Sequence, residues 1–125
     1  SQHNLQVLDL KDHKISAIPA QVLSAFTHVK VLDLRKNALE ELLPDIRVMS
    51  QLEDLLLDQN RLREIPDEVC LLPHLRGLSL SQNLLKMLPK AVGSMKSLKS
   101  LSLGDNFLEE IPVELGQCKE LQTLY

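Results

Sequence analysis

The chain carries four histidines, two cysteines and 17 acidic residues, side-chain types that can bind metals, attack electrophiles or shuttle protons. His28 and His74 invite a metal site, and Cys118 invites a nucleophile. Asp9, Asp33, Asp54 and Asp58 invite a paired-carboxylate site. All three readings turn on whether folding brings the residues together. A second set has more regular spacing: Asn37, Asn60, Asn83 and Asn106 stand 23 residues apart. A carboxamide donates and accepts hydrogen bonds at once. A strict interval puts it at the same place in successive structural units.

The asparagines belong to a longer pattern. Leu52, Leu55, Leu57, Asn60, Leu62, Ile65, Pro66, Val69 and Leu72 form one copy, and Leu75 starts the next. Moving back by 23 lands on Val29, Leu32, Leu34, Asn37, Leu39, Leu42, Leu43, Ile46 and Met49. Moving forward by 23 lands on Leu75, Leu78, Leu80, Asn83, Leu85, Leu88, Pro89, Val92 and Met95, and once more on Leu98 to Cys118. A period held this strictly implies a solenoid with one coil per copy. The first copy, from Leu5, departs twice: His13 fills the asparagine position, and Val29 follows Leu5 at 24 rather than 23. The extra residue is expected near Ala25 and Phe26, away from the strands. Ser1 to Asn4 read as the tail of a preceding coil or a tag remnant. The second copy has Leu43 where others have proline, with Pro44 one place later, so its turn is expected to differ.

The core string L-x-x-L-x-L-x-x-N-x-L resembles the leucine-rich repeat signature, from Leu5 to Tyr125. The second half, x-x-I-P-x-x-L, is similar to the short intracellular subtype found in Ras-pathway scaffolds. It lacks the Gly before I-P that marks the plant receptor subtype. The resemblance implies an α/β fold: a right-handed solenoid, or horseshoe, with a parallel concave β-sheet and short helical or 3-10 convex segments. It also implies that each asparagine is buried and bonds the backbone of neighbouring coils. Turning a loop into a core strands N–H and C=O groups, and each one left unpaired costs roughly 1–3 kcal/mol.

One domain over residues 1–125 is expected: about five copies plus the strand of a sixth, Leu121 to Tyr125. Without a polar cap at either end, the chain reads as a fragment of a longer array, or as one that self-associates through its ends. Hydrophobic residues are 44% of the chain, almost all aliphatic, which suits stacked columns. Net charge is -3 with acids and bases interleaved, so no basic stripe for nucleic acid and no polybasic membrane patch is expected. No run of about 18 apolar residues occurs. The two cysteines fall in different columns two copies apart, which disfavours a disulfide. None of the five asparagines opens an N-x-S/T sequon. A cytoplasmic setting is therefore expected.

With the columns in place, the chemical candidates weaken. His28 and His74 fall two coils apart, roughly 10 Å, too far to share a zinc with ligands at about 2 Å. His3 and His13 lie elsewhere on the first coil. Cys118 shares a core column with Met49, Leu72 and Met95, and no histidine is in a neighbouring column. The aspartates stand on an open sheet among Lys11, Lys30 and Arg35, with nothing to exclude water. No phosphate-cradling Gly-rich loop is present. Neither catalysis nor a metal or other cofactor is expected.

Function is expected on the strands. In stretches such as VLDL (Val31 to Leu34) the leucines point inward, so the intervening residues face outward. The first such column holds Val7, Val31, Asp54, Gly77, Ser100 and Thr123, and the second Asp9, Asp33, Leu56, Ser79, Ser102 and Tyr125. A third holds Lys11, Arg35, Asp58, Ser81 and Gly104. Val31, Asp33, Arg35, Asp54, Leu56, Asp58, Ser79, Ser102 and Tyr125 are the candidate contacts for a protein partner. Copies one to three offer charge and bulk, and copies four and five offer Ser and Gly. The reading is a protein-interaction module with a scaffold or signalling role. The alternative is a targeting or regulatory segment of a larger enzyme, such as a ubiquitin ligase or phosphatase. Nucleic-acid or pathogen-product sensing would need a basic or glycosylated face.

Overall fold

The computed structural model describes residues 5–125; the reading of Ser1 to Asn4, and His3 with it, lies outside the described residues. Six short strands form one sheet in chain order: β1 (Val7–Asp9), β2 (Val31–Asp33), β3 (Asp54–Leu56), β4 (Gly77–Ser79), β5 (Ser100–Ser102) and β6 (Thr123–Leu124). Every pairing is parallel, and the register follows the repeat: Leu8, Leu32, Leu55, Leu78, Leu101 and Leu124 pair in succession. Parallel neighbours need a crossover between them, and here the rest of each copy supplies it.

The inward leucines make the core. Leu32, Leu34, Leu39, Met49, Leu52, Leu55, Leu57, Leu62, Leu80 and Leu85 are sealed from solvent. Each stacks on its equivalent one coil away, so the core is a set of aliphatic columns, with Phe26 packed against it in the first copy.

The return segments differ in helix type. The first copy makes a six-residue α-helix, Ala20–Ala25, and the third a four-residue one, Asp67–Cys70. The second, fourth and fifth make five-residue 3-10 helices, Pro44–Val48, Lys90–Ser94 and Val113–Gln117. This explains how a 24-residue copy stays in step. Six residues at the α rise span about 9 Å, and five at the 3-10 rise span about 10 Å. The shorter rise per residue of the α-helix takes up the extra residue on the helical side, and β1 still registers Val7 on Val31.

The expected difference in the second turn does not occur. Leu43 lies at φ −75°, ψ 146°, close to Pro89 at −69°, 152° and Pro112 at −64°, 141°. Pro44 forces the residue before it to be extended and sits at the first helical position, where its missing N–H is harmless. One proline shifted by one place thus specifies the same backbone.

The asparagine column also departs in part from expectation. Asn60 and Asn83 are buried, but Asn37 and Asn106 are only half-buried. Each amide reaches its own coil and the preceding one, not the coils on both sides. Ile111 departs too. It is 48% exposed, whereas Ile65 and Leu88 in the same column are buried. Each of those packs beneath the following coil.

Candidate functional site

Between the inward leucines, the strands present alternate residues on the opposite face. The register aligns Val31, Asp54, Gly77, Ser100 and Thr123 in one column, and Asp9, Asp33, Leu56, Ser79 and Ser102 in the next. Tyr125 continues the ladder past β6. Its N–H donates to the Leu101 carbonyl at 3.0 Å, and its carbonyl accepts from Leu103 N–H at 2.9 Å. Tyr125 is 75% exposed. Val31, Asp54, Leu56, Asp58, Ser79 and Ser102 are half-buried by their column neighbours.

Asp33 behaves differently from the other candidates. It is buried, and Arg35 grips it through a two-pronged ion pair: Nε to Oδ1 at 2.9 Å and Nη2 to Oδ2 at 2.8 Å. The Arg35 backbone N–H donates to the same Oδ1 at 3.1 Å. The Arg35 hydrogen bond holds the Asp33 carboxyl below the usual carboxylate range, against the opposing effect of burial. The same contact raises the Arg35 guanidinium. Asp33 is therefore inaccessible to a partner except through Arg35, which remains half-exposed. Asp9 repeats the backbone part of this turn, accepting from Lys11 N–H at 3.1 Å.

Asp58 is tied to the next coil. Its carboxylate accepts the Ser79 hydroxyl, which lies 2.6 Å from both oxygens, and the Ser81 N–H at 2.8 Å. Asp54 is held more loosely, with Arg76 at 3.5 Å. Its carboxylate lies over Gly77, where a side chain would overlap it. The geometry thus locks Asp33 and Asp58 in place, holds Asp54 by one longer contact to Arg76, and leaves Leu56 half-exposed between them. The alternation of types was legible in the sequence. The Asp58 bridge to Ser79 was not, because it depends on a rotamer reaching across coils.

The same geometry bears on the chemical candidates. A shared-proton carboxylate pair needs one member raised, yet Asp33, in register with Asp9, is held low. Cys70 and Cys118 are buried free thiols, both raised by burial, Cys70 to about 12. Cys118 donates to the Val92 carbonyl, Sγ to O 3.0 Å. A reactive thiol needs the opposite shift. His13 Nδ1 lies 2.7 Å from the Lys11 carbonyl, which makes it a donor serving its own coil. A mainly apolar cavity of about 50 Å³ lies between the first two coils, lined by Ile18, Leu23, Leu42 and Ile46 together with Glu41. No described helix is long and apolar enough to cross a membrane.

A family model described as a leucine-rich repeat region matches residues 1–125. Among solved structures, a leucine-rich repeat protein of Leptospira interrogans is 34% identical with a TM-score of 0.90, covering 98% of this chain and 31% of its own. A plant peptide hormone receptor, RGFR1 in complex with RGF2, is 32% identical with a TM-score of 0.84, covering 98% of this chain and 20% of that one. The leucine-rich repeat domain of the type III effector XopL is 20% identical with a TM-score of 0.73, covering 94% of this chain and 50% of that one. It shares the fold. This chain therefore spans half or less of each of these chains. No curated protein matches it.

Proposed function

The chain belongs to the leucine-rich repeat family, whose domains generally mediate protein–protein interaction, and on that premise we propose that its concave sheet face binds a protein partner in a scaffold or signalling role. One observation carries the reading: six parallel strands present an unbroken outer face with Leu56 half-exposed at its middle, between Asp54 and Asp58. An apolar residue flanked by charge suits the centre of an interface, where burial supplies affinity and the charged rim supplies orientation. The flat run of Gly77, Ser79, Ser100, Ser102 and Gly104 lets a protruding element come close, and Tyr125 bounds it.

Two free buried thiols suit a reducing compartment such as the cytoplasm. The receptor neighbour is recorded with a bound peptide hormone, which makes a peptide or an extended protein segment a reasonable class of ligand. The alternative, a targeting segment of a larger enzyme, rests on the same face. A photo-crosslinking residue at Leu56 tests the reading. We expect it to capture a discrete polypeptide from native lysate, and the same residue at Glu68, on the helical side, to capture none. Equal capture from both positions would overturn it.

A further inference from the structure

A second surface lies on the loops that leave the asparagine column in the fourth and fifth copies. Leu84 and Phe107 border one groove with Arg63 and Lys86. Met87 and Val113 border the adjoining groove with Lys90, Glu110 and Glu114. Phe107 is 61% exposed, Met87 63% and Val113 88%.

The repeat contains its own control. The equivalent positions of the third copy are Arg61, Glu64 and Asp67, all exposed although coils pack on both sides. These columns face solvent whatever fills them, and the fold places no demand for apolar residues there. The fourth copy nevertheless has Leu84 and Met87, and the fifth has Phe107 and Val113. Contiguous exposed apolar surface of this kind marks an interaction site.

The charges around it point to the occupant. Arg63, Lys86 and Lys90 border the fourth-copy side, and Glu110 and Glu114 border the fifth. Among the described residues, none of these five makes an ion pair within its own chain. The acidic half disfavours an anionic lipid surface. The basic half complements the acidic half, and a two-fold axis between the two coils would bring them together twice. We propose that this strip is an isologous dimer interface with a second copy of the chain, Phe107 and Val113 of one copy packing on Leu84 and Met87 of the other.

Sedimentation velocity of the 125-residue chain tests this, and Met87→Glu and Phe107→Arg install the residues that the third copy already carries at these positions, Glu64 and Arg61. We expect a concentration-dependent dimer that high salt weakens. Met87→Glu with Phe107→Arg should raise the dimer dissociation constant at least about tenfold with an unchanged melting temperature. Lys86→Glu with Lys90→Glu should do the same, and adding Glu110→Lys with Glu114→Lys to that chain should restore the dimer. A monomer up to about 100 micromolar would overturn the proposal. So would a dimer that survives Met87→Glu/Phe107→Arg but dissociates in Leu124→Glu, because its contact would lie on the last strand.

Discussion

The Asn60 side-chain oxygen accepts a hydrogen bond from Leu39 N–H, one coil back, at 3.0 Å. The Asn60 amide nitrogen donates to the Leu34 carbonyl of that same coil at 2.9 Å and to its own Leu57 carbonyl at 3.0 Å. One buried carboxamide thus joins two coils where neither backbone can pair with itself. Asn83 and Asn106 repeat the arrangement. Asn37 does so for the first copy, accepting from both His13 and Ile15 N–H, so the histidine that replaces asparagine there is served by the next coil.

Asn60→Ala should therefore destabilise the chain by about 2 kcal/mol, since it strands the Leu39 N–H, while the Leu34 carbonyl keeps the Asn37 amide. Half-buried Asn106 should cost less, because water can replace part of its bonding. Urea denaturation of both variants checks the order. Equal stability of Asn60→Ala and the parent would contradict it.

A second feature of the same turn was not legible in the sequence. Lys36, Gln59, Gln82 and Asp105, each just before an asparagine, have φ between 56° and 60°. None is glycine, so no residue type announces the left-handed backbone. Lys36, Gln59 and Gln82 each donate the N–H to the next coil, Gln82 to Gly104 at 2.8 Å. This conformation costs most L-residues about 1–2 kcal/mol and is worse for a β-branched side chain. Gln82→Gly should lie within about 0.5 kcal/mol of the parent or exceed it. Gln82→Val should lose about 1–2 kcal/mol. A glycine variant as unstable as the valine variant would refute this account.

The Cys70 thiol, pushed up to about 12 by burial, links stability to pH. The folded state keeps its proton above the ordinary thiol range, where the unfolded state loses it. Stability should be unaffected below about pH 8.5 and fall as pH rises from there toward 12. Cys70→Ala should remove that part of the alkaline loss. Denaturant midpoints at pH 7 and 10 for both proteins measure it, and an identical alkaline slope would count against it. Thiol alkylation at pH 8 should likewise label neither cysteine until the chain unfolds.

The columns were legible because a coil's neighbours stand a fixed number of residues away. The period alone assigned Leu55 to Leu32 and Leu78, and it placed Asp54 and Leu56 on the outer face. It could not assign what depends on side-chain reach or on the next coil. Asp33 was expected on the surface and is buried under Arg35. Ile111 was expected in the core column and is exposed. Leu43 was expected to alter its turn, but the shifted proline restores the same angles.

Docking of a protein partner on the outer face of the sheet, as proposed above, is checked by comparing the affinity of a captured partner for Leu56→Arg with that for the parent. Leu56 is half-exposed, so arginine there should leave the melting temperature unchanged. We predict a loss of affinity of at least about tenfold. Unchanged affinity in a variant of unchanged stability would contradict the assignment of this face.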